Sequence, residues 1–372
     1  MQIPMVDLGA QQAEIDADVQ VGLKQLFADT AFIGGPAVAE FEAGYADLIG
    51  VRHCVGVGNG TDALELAMRA AGVGPGDEVI MPANTFIATA EAAARIGALP
   101  VPVDVDHDHL LIDPQQVAAA VTERTKAIVP VHLFGQTAFV EQLEPIARDC
   151  GAVIIEDAAQ SQGARRHGRA AGSLGRIAAT SFYPGKNLGA AGDAGAVLTD
   201  DDDLAAMVRL ISAHGSARKY HHEVVGINSR LDSIQAVVLN AKLSRLADWN
   251  DRRRRTAARY GGLLDDLSGI RLPRGAPGNE DVWHLYVVRV PHRDQLLQTL
   301  NRAGVGAGIH YPVPIHLTPA FAHLGYGPGS FPVAEQAARE ILSLPIHPHL
   351  TVDQQEFVAQ VMVTAMAART RG

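Results

Sequence analysis

Seven short apolar runs, separated by stretches of helical periodicity, fill the first 200 residues and restrict the fold most strongly. Each run has the length of a strand, and most connections between runs are long enough to hold a helix. Connections of that length join parallel strands, and continuous apolar runs are typical of strands covered on both faces. The predicted strands are residues 54–57, 78–82, 99–103, 126–131, 152–155, 177–181 and 194–198. The sequence therefore predicts an α/β fold with a mostly parallel, roughly seven-stranded sheet and helices on both faces.

A proline- and glycine-rich run at residues 273–278 (PRGAPG) marks a change in organisation. Beyond it, the pattern predicts a strand at 284–290, a helix at 293–303 and another strand near 305–310. A chain of 372 residues that is 47% hydrophobic is long enough for one large core and a smaller one. We therefore expect a large domain with an N-terminal arm at residues 1–250 and a small α+β domain at residues 251–372.

Helical periodicity outside the sheet region is clearest at residues 14–29, 38–48 and 233–267. A polar, turn-forming stretch at residues 219–230 is too long for a simple connector. The basic run at residues 252–255 lies within the last of these helices, and the net charge of the chain is −10. That charge disfavours a nucleic-acid partner, so the basic run is interpreted as a solvated or subunit-facing helix surface.

The N-terminal sequence lacks a basic region followed by an apolar core, and no apolar run reaches the ~18 residues that span a bilayer. Cys54 and Cys150 are the only cysteines, which favours buried thiols in a reducing compartment over a disulfide framework. We therefore expect a cytoplasmic protein with neither a membrane nor a nucleic acid as its partner.

Two kinds of segment resemble metal sites but lack the required spacing. Residues 104–109 (DVDHDH) lack the glycine of a calcium loop, and Gln115 stands in place of its bidentate glutamate, so we expect an acidic surface loop. The histidine pairs at residues 221–222 and 347–349 have no zinc-ligand spacing. No metal is expected.

A glycine-containing turn at residues 58–68 (GNGTDALELAM) follows the first predicted strand and begins a helix. Thr61 or Asp62 is placed near the helix cap, and the exposed N–H groups at a helix start attract anions such as phosphate. The turn is neither a dinucleotide motif, because Thr61 replaces its third glycine, nor a nucleotide P-loop. An ordinary strand-to-helix turn is the alternative.

Lys186 lies in a glycine-rich turn, residues 181–195 (SFYPGKNLGAAGDAG), between the last two predicted strands. Its apolar and small neighbours let another chain segment or a ligand approach closely. Poor solvation lowers the pKa of an amine, and a neutral amine attacks a carbonyl to form a Schiff base. Taken alone, the pattern also fits an ordinary turn lysine.

Polar side chains follow two other predicted strands, with His132 after one and Asp157 in IEDAAQ (residues 155–160) after the next. A helix-start anion site, a carboxylate and a lysine are the three contacts that pyridoxal phosphate needs. The carboxylate keeps the pyridine nitrogen protonated, so that the ring accepts the electrons released when an α-proton leaves. The lysine, once the substrate has displaced it, is placed to move that proton.

Seven segments, in the same order along the chain, resemble the fold type I nucleotide-sugar aminotransferases of the DegT/StrS kind. They are residues 58–64 (GNGTDAL), 82–89 (PANTFIAT), 131–135 (VHLFG), 156–160 (EDAAQ), 181–195, 226–232 (GINSRLD) and 309–316 (IHYPVPIH). Each segment alone is a weak match, whereas seven in the right order are highly specific.

This resemblance implies roles for four residues around the cofactor ring. Lys186 would bind pyridoxal phosphate covalently, and Asp157 would pair with the pyridine nitrogen. Phe86 would stack on the ring, and Gln160 would lie near its hydroxyl group.

The resemblance also implies a phosphate-binding set and a substrate-binding set. The phosphate-binding set is Gly60, Thr61, Asp62 and Ser181, joined by Asn228 from the other subunit of a homodimer with two shared active sites. The set that would reach the sugar nucleotide is Tyr183, His310 and Tyr311. Two prolines follow His310 and Tyr311 and would hold this loop rigid.

The implied reaction is a transamination in which L-glutamate or glutamine loads the cofactor with nitrogen and a keto-sugar nucleotide then receives it. The run after the lysine, NLGAAGDAG, is similar to that of enzymes that aminate C-3 of a dTDP-3-keto-6-deoxyhexose. We therefore expect a C-3 aminotransferase that makes an amino sugar for an antibiotic or a surface glycan.

Three alternatives stay open at this point. One is C-4 amination of a related dTDP-, UDP- or GDP-4-keto sugar, although that group more often has a TTGEGG-type run after the lysine. The second is a sugar 3-dehydratase, which Lys186 disfavours because similar dehydratases have histidine there. The third is a non-catalytic regulatory protein on the same fold.

Overall fold

Helices and strands alternate along the chain as the apolar pattern predicts. The structure, a computed structural model, describes residues 1–369, with the side chains of residues 1–367. The α-helices in this range are α1 (Leu8–Asp29), α2 (Pro36–Ile49), α3 (Gly60–Ala70), α4 (Ala88–Arg95), α5 (Pro114–Ala120), α6 (Val140–Cys150), α7 (Asp202–Ser212), α8 (Ser233–Leu243), α9 (Leu246–Leu264), α10 (Arg293–Arg302), α11 (Pro332–Glu340) and α12 (Val352–Arg369). None of them is both long and apolar enough to cross a membrane.

Within the described residues, the strands form one large sheet and three small ones. They are β1 (His53–Val57), β2 (Glu78–Pro82), β3 (Leu99–Val103), β4 (Thr125–Ile128), β5 (Val153–Asp157), β6 (Arg165–Arg166), β7 (Arg169–Ala170), β8 (Ile177–Ser181), β9 (Gly195–Thr199), β10 (Ser216–Arg218), β11 (His221–His222), β12 (Asn279–Glu280), β13 (Tyr286–Arg289) and β14 (Ile341–Leu344). The large sheet has seven strands in the order β1-β9-β8-β5-β4-β2-β3. Only β9 runs antiparallel to its neighbours, so the prediction of a mostly parallel seven-stranded α/β sheet is confirmed.

Side chains that alternate along each strand enter separate apolar layers on the two faces of the sheet. Val79 and Met81 pack with α3, α4 and α7, whereas Ile80 between them packs with α5 and α6. Ala196 and Leu198 of β9 pack with α2 and α8. The sheet is therefore covered on both faces, which explains its continuous apolar runs.

A second core forms around β13 and β14, which pair antiparallel. Helix α9 joins this core to the large sheet: Trp249 near its start packs against α1 and α8, whereas Tyr260 and Leu264 belong to the second core. The predicted boundary between residues 250 and 251 lies inside α9, and the division into two domains stays a prediction.

Several predicted elements differ from the structure in extent. Helix α1 begins at Leu8 rather than at residue 14, and the helix predicted at 233–267 is two helices, α8 and α9, separated by residues 244–245. The strand predicted near 305–310 is wrong, because Val305 and Gly308 form only isolated bridges to Ile3 and Ser343. The stretch at 219–230 contains β11, which pairs with β10.

Two charged segments are more buried than the sequence predicts. Asp104 is 7% exposed and accepts hydrogen bonds from the N–H groups of Val333 and Ala334, so this acid holds the start of α11 and does not belong to a surface loop. Arg253 is 1% exposed and donates to the carbonyls of Trp283 and Ile346, at 3.2 and 2.9 Å. The interpretation of residues 252–255 as a solvated surface is therefore wrong for Arg253.

Candidate active site

Three segments converge at one edge of the large sheet: the C-terminal end of β5, the turn between β8 and β9, and the start of α3. Crevices beyond the carboxyl ends of strands are the usual ligand sites of open α/β sheets. Asp157 ends β5, Ser181 ends β8, and Gly60 begins α3. A Cβ atom on Gly60 would lie 2.6 Å from the Cβ of Ser181, so the helix start and the strand end are in direct contact.

Asp157 is a buried carboxylate with two protein donors. Thr89 Oγ1 donates to Oδ2 at 2.8 Å, and the N–H of Ala159 donates to Oδ1 at 3.1 Å. Burial raises the pKa of Asp157, whereas the two hydrogen bonds and the charge of Lys186 oppose that rise. A cation beside this carboxylate would stabilise its ionised form.

The turn that contains Lys186 is fixed by contacts from α8. The Nζ of Lys242 donates to the carbonyl of Gly189 at 2.7 Å, and Gln235 Oε1 accepts from the N–H of Ala191 at 2.9 Å. A side chain at Gly189 would collide with the carbonyl of Pro184, so only glycine fits this tight turn.

Lys186 is partly buried, and desolvation of its amine lowers its pKa to about 8, although the charge of Asp157 acts in the opposite direction. A substantial fraction of this amine is therefore neutral near physiological pH, as nucleophilic attack on a carbonyl requires.

The start of α3 presents free hydrogen-bond donors. Asn59, rather than Thr61 or Asp62, is the N-cap residue, and its side chain accepts from the N–H of Asp62 at 2.8 Å. The N–H groups of Gly60 and Thr61 have no acceptor within residues 1–369, as expected for the first turn of a helix. Together with the hydroxyl of Ser181 they form a cradle that suits a phosphate.

Asp62 supports this cradle from behind. Its Oδ2 accepts from Ser229 Oγ at 2.8 Å, and its Oδ1 lies 3.4 Å from NH1 of Arg95. Because its N–H is also used by Asn59, the geometry favours a supporting position; the direct phosphate contact of Asp62 stays a prediction.

Gln160, Tyr311 and Phe86 form a contiguous group. Gln160 Oε1 accepts from the N–H of Phe134 at 2.6 Å, and its Nε2 donates to the Tyr311 hydroxyl at 3.0 Å. The rings of Tyr311 and Phe86 lie 5.3 Å apart, and Phe86 is 51% exposed. Burial raises the pKa of Tyr311, which therefore remains a neutral donor and acceptor.

The other predicted residues lie at the rim of the site or away from it. His310 Nδ1 lies 2.8 Å from Ser343 Oγ, and burial together with the charge of Lys186 lowers the pKa of His310. Tyr183 is 59% exposed in the lysine turn. Asn228 is also exposed, and its side chain has no partner within residues 1–369.

Three residues have positions or contacts that the sequence does not predict. His132 is fully buried and bound to Glu156, with 2.7 Å between Nε2 and Oε2, so it supports the sheet edge and does not face the site. Thr89 lies in one of the seven segments, but nothing in the sequence indicates its bond to Asp157. His284, also unpredicted, lies near Lys186, whose charge helps to lower the pKa of His284.

Comparison with known proteins gives the same assignment. Residues 13–363 match the DegT/DnrJ/EryC1/StrS aminotransferase family. The chain is 49% identical over 358 residues to the erythromycin biosynthesis sensory transduction protein EryC1 of Saccharopolyspora erythraea, covering 96% of this chain and 98% of that protein. It is 47% identical over 348 residues to the dTDP-3-amino-3,4,6-trideoxy-alpha-D-glucose transaminase of Streptomyces venezuelae, covering 94% and 92%.

A solved structure is similar over nearly its full length. It is S. venezuelae DesV in complex with a ketimine intermediate, which superposes with a TM-score of 0.96 at 45% identity and covers 98% of both chains. The fold class and the resemblance found from the seven segments are therefore confirmed. The chain belongs to the DegT/DnrJ/EryC1/StrS aminotransferase family and is a pyridoxal-phosphate-dependent aminotransferase.

Proposed function

We propose that this aminotransferase carries nitrogen from L-glutamate or glutamine to C-3 of a dTDP-3-keto-6-deoxyhexose. The observation that carries the proposal is Lys186, with its pKa lowered to about 8, in a rigid turn and under the influence of the buried carboxylate of Asp157. The name of the S. venezuelae relative, a dTDP-3-amino sugar transaminase, supports this acceptor. The product would serve an antibiotic or a surface glycan.

The residues at the sheet edge fit pyridoxal phosphate. Lys186 would hold the aldehyde carbon and Asp157 the ring nitrogen, with Thr89 keeping the carboxylate in place. Phe86 would cover the ring, and Gln160 would face its hydroxyl group. When bound, the cofactor supplies an electron sink for the carbanion that forms when an α-proton leaves.

The phosphate would lie between the start of α3 and the end of β8. Gly60 and Thr61 would donate through their free N–H groups and Ser181 through its hydroxyl, with Asp62 behind them. The contact between Gly60 and Ser181 leaves no room for a side chain at residue 60. This absence of a side chain lets the backbone approach the phosphate closely.

Lys186 would also move the proton in each half of the reaction. An amine with a pKa of about 8 is near the optimum for a general acid and base at neutral pH, because both of its protonation states are populated. Glutamate would give up its α-proton to this amine, and the amine would return a proton to the sugar carbon in the second half.

We place Tyr183, His310 and Tyr311 against the sugar nucleotide. Tyr183 is exposed within the lysine turn, while His310 and Tyr311 are partly buried. The hydrogen bond between Tyr311 and Gln160 would connect the substrate group to the cofactor group.

We infer that the active unit is a homodimer with two shared sites. Asn228 is exposed and its side chain is unpartnered within residues 1–369, which supports a contact with the cofactor phosphate of another subunit. Apolar side chains near the N-terminal arm are also exposed, Phe27 by 58% and Ile33 by 56%, as in surfaces that bind a partner chain. The free Cys54 and Cys150 support a reducing compartment, the cytoplasm.

Two other functions stay in view. C-4 amination of a 4-keto sugar would use the same cofactor-binding residues, and only the contacts to the sugar would differ. A regulatory role is suggested by the name of the EryC1 relative, a sensory transduction protein. The presence of Lys186, Asp157 and the phosphate cradle favours catalysis, because a protein that only signals has no need of them.

The decisive experiment has two stages. The protein is first mixed with pyridoxal phosphate, separated from unbound cofactor and then given L-glutamate, with Lys186→Ala as control; a visible absorbance that stays with the wild type and that glutamate bleaches, and that the variant does not retain, is expected. Enzymatically prepared dTDP-3-keto and dTDP-4-keto sugars are then supplied separately. Amination of only the 4-keto sugar would overturn the C-3 assignment, and a colourless wild type would leave the regulatory role.

A further inference from the structure

The chain segment at residues 282–285 crosses from the second core into the active site and is held there by the backbone. The N–H of Val282 donates to Gly135 at 2.9 Å, and the N–H of Leu285 donates to Phe134 at 3.2 Å. Gly135 has a φ of +100°, and a Cβ atom there would lie 2.6 Å from the backbone nitrogen of His284. This close approach fixes the backbone of His284 beside the loop that also binds Gln160.

The side chain of Asn187, which directly follows Lys186, lies between three fixed groups. It is 1% exposed, and its Nδ2 donates both to Asn250 Oδ1 and to the carbonyl of Val282, each at 2.9 Å. Asn250 in turn donates to the carbonyl of Gln162 at 2.9 Å. These contacts determine the orientation of both amides, so Asn187 Oδ1 is an acceptor.

That acceptor faces the ring of His284, with 3.1 Å between Asn187 Oδ1 and His284 Nδ1. The Nδ1 atom must therefore carry a hydrogen. Burial and the positive charges of Lys186, Arg253 and His310 hold the pKa of His284 well below its ordinary value, so the ring is neutral. Its Nε2 then has a free lone pair, which accepts no hydrogen bond from residues 1–369.

We propose that His284 is a positioning residue for Lys186, acting through Asn187. The Nδ1–H of His284 fixes the Asn187 amide, and the amide fixes the start of the turn that carries the amine. The proposal rests on the proposed function, since it assigns a role in the same site. It extends that function to a residue of the second core, which thereby takes part in setting the lysine geometry.

Two substitutions separate this role from simple packing. His284→Asn keeps an N–H group at the position of Nδ1, whereas His284→Gln moves its polar group to the position of Nε2. A residue needed only for bulk tolerates the larger glutamine better than the smaller asparagine. The proposal predicts the opposite: the pKa of Lys186 in His284→Asn stays close to that of the wild type, whereas in His284→Gln it changes.

The first measurement uses the cofactor-free protein and needs no sugar substrate. Acetic anhydride is applied as a probe over a range of pH, and modification of Lys186 is measured by mass spectrometry. The wild type is expected to show a pKa of about 8 for Lys186. Burial lowers this pKa and the charge of Asp157 on β5 raises it. His284 and His310 also lie near Lys186, whose charge helps to lower their pKa values, and Arg253 on α9 acts on His284 in the same direction.

When the Asn187 amide is released, the turn loosens and the amine gains water, so the pKa of Lys186 rises toward its ordinary 10.5 in His284→Gln. It stays near 8 in His284→Asn. An unchanged pKa in His284→Gln, or equal shifts in the two variants, would overturn the proposal even if the enzyme had a different substrate.

The second measurement is a cycle of kcat values on the holoenzyme for His284→Ala, Asn187→Ala and the double variant. We expect a loss of about tenfold or more in each single variant, from displacement of the reacting amine. KM for the amino donor should change little. If His284 acts through Asn187, the second substitution adds almost nothing. Independent, multiplying losses would contradict the proposal, and thermal unfolding of each variant confirms that it is folded.

Discussion

Lys186 and Asp157 oppose the effect of burial on each other. Loss of water lowers the pKa of the Lys186 amine and raises the pKa of the Asp157 carboxyl, while the charge of each residue shifts the pKa of the other back toward its ordinary value. The pKa of Lys186 is therefore about 8, and this amine changes protonation near neutral pH. Removal of either charge should be visible in the titration of the other.

Asp157→Asn should make Lys186 a stronger acid. The carboxylate raises the pKa of the lysine from what burial alone would impose, so its loss should lower that pKa below about 8, by roughly one unit. The amine is neutral above its pKa, and capture of pyridoxal phosphate by Lys186, trapped with borohydride, should begin at lower pH. Asp193→Asn, which removes an exposed carboxylate of the same turn, is the control and should leave the midpoint in place. Identical midpoints for all three proteins would refute the coupling.

Gly60→Ala should weaken cofactor binding without unfolding the protein. Its Cβ atom would lie 2.6 Å from that of Ser181, so the phosphate cradle must open. Strain of about 1–3 kcal/mol corresponds to a roughly 5- to 150-fold higher Kd for pyridoxal phosphate, measured by fluorescence titration. In Gly261→Ala, also within a helix, the new methyl group contacts nothing within 4 Å. This control should bind normally and be slightly more stable; equal affinities for both variants would argue against the cradle.

Subunit mixing tests the position of Asn228. Lys186→Ala and Asn228→Asp should each be nearly inactive, the latter because a second negative charge meets the phosphate. Refolded together, half of the dimers would be hybrids, and each hybrid would have one intact site formed by Lys186 of one chain and Asn228 of the other. About a quarter of wild-type activity should therefore return. No recovery, with hybrids verified by mass spectrometry, would place Asn228 in the site of its own chain, and full activity of Asn228→Asp alone would place it in neither site.

His132→Ala should affect stability far more than lysine chemistry. His132 is fully buried and lies 2.7 Å from Glu156, which also accepts N–H groups of Gly172, Leu174 and Gly175. Its loss leaves a buried carboxylate short of one donor, so the free energy of unfolding in urea should fall by about 3 kcal/mol. The exposed His221→Ala should change it by less than about 0.5 kcal/mol. A stable but inactive His132→Ala would return this residue to the site.

The local features of the site were predictable because neighbouring residues encode them. Lys186 stood out through its glycines and apolar neighbours, and Asp157 through its place after a strand. The sequence pattern predicts Thr61 or Asp62 near the cap of α3, although Asn59 makes the bond, because several polar residues there have similar cap propensity.

Contacts between distant residues were beyond the reach of sequence patterns. The bond from Thr89 to Asp157 joins residues 68 positions apart, and that between Asn187 and His284 joins residues 97 apart. Arg253 and His132 have polar side chains that normally face water, yet tertiary packing buries both. Arg253 donates to backbone carbonyls at least 30 residues away, and His132 contacts Glu156 as well as the nearby N–H of Ala138, so only the completed fold brings most of these partners close.

Helix α9 is one continuous helix that connects the two cores. Its Trp249 packs against α1 and α8, and its Asn250 accepts a hydrogen bond from Asn187 of the lysine turn, while Tyr260 and Leu264 pack in the second core. It contains no proline, and its only glycine pair, residues 261–262, lies beyond the part that touches the site. If the second core moved as a rigid body, Asn250 of α9 and the Asn187 amide that it holds would have to move with it. Substrate should consequently enter past the exposed rim, near Phe86 and Tyr183, while the amine and its supports stay still.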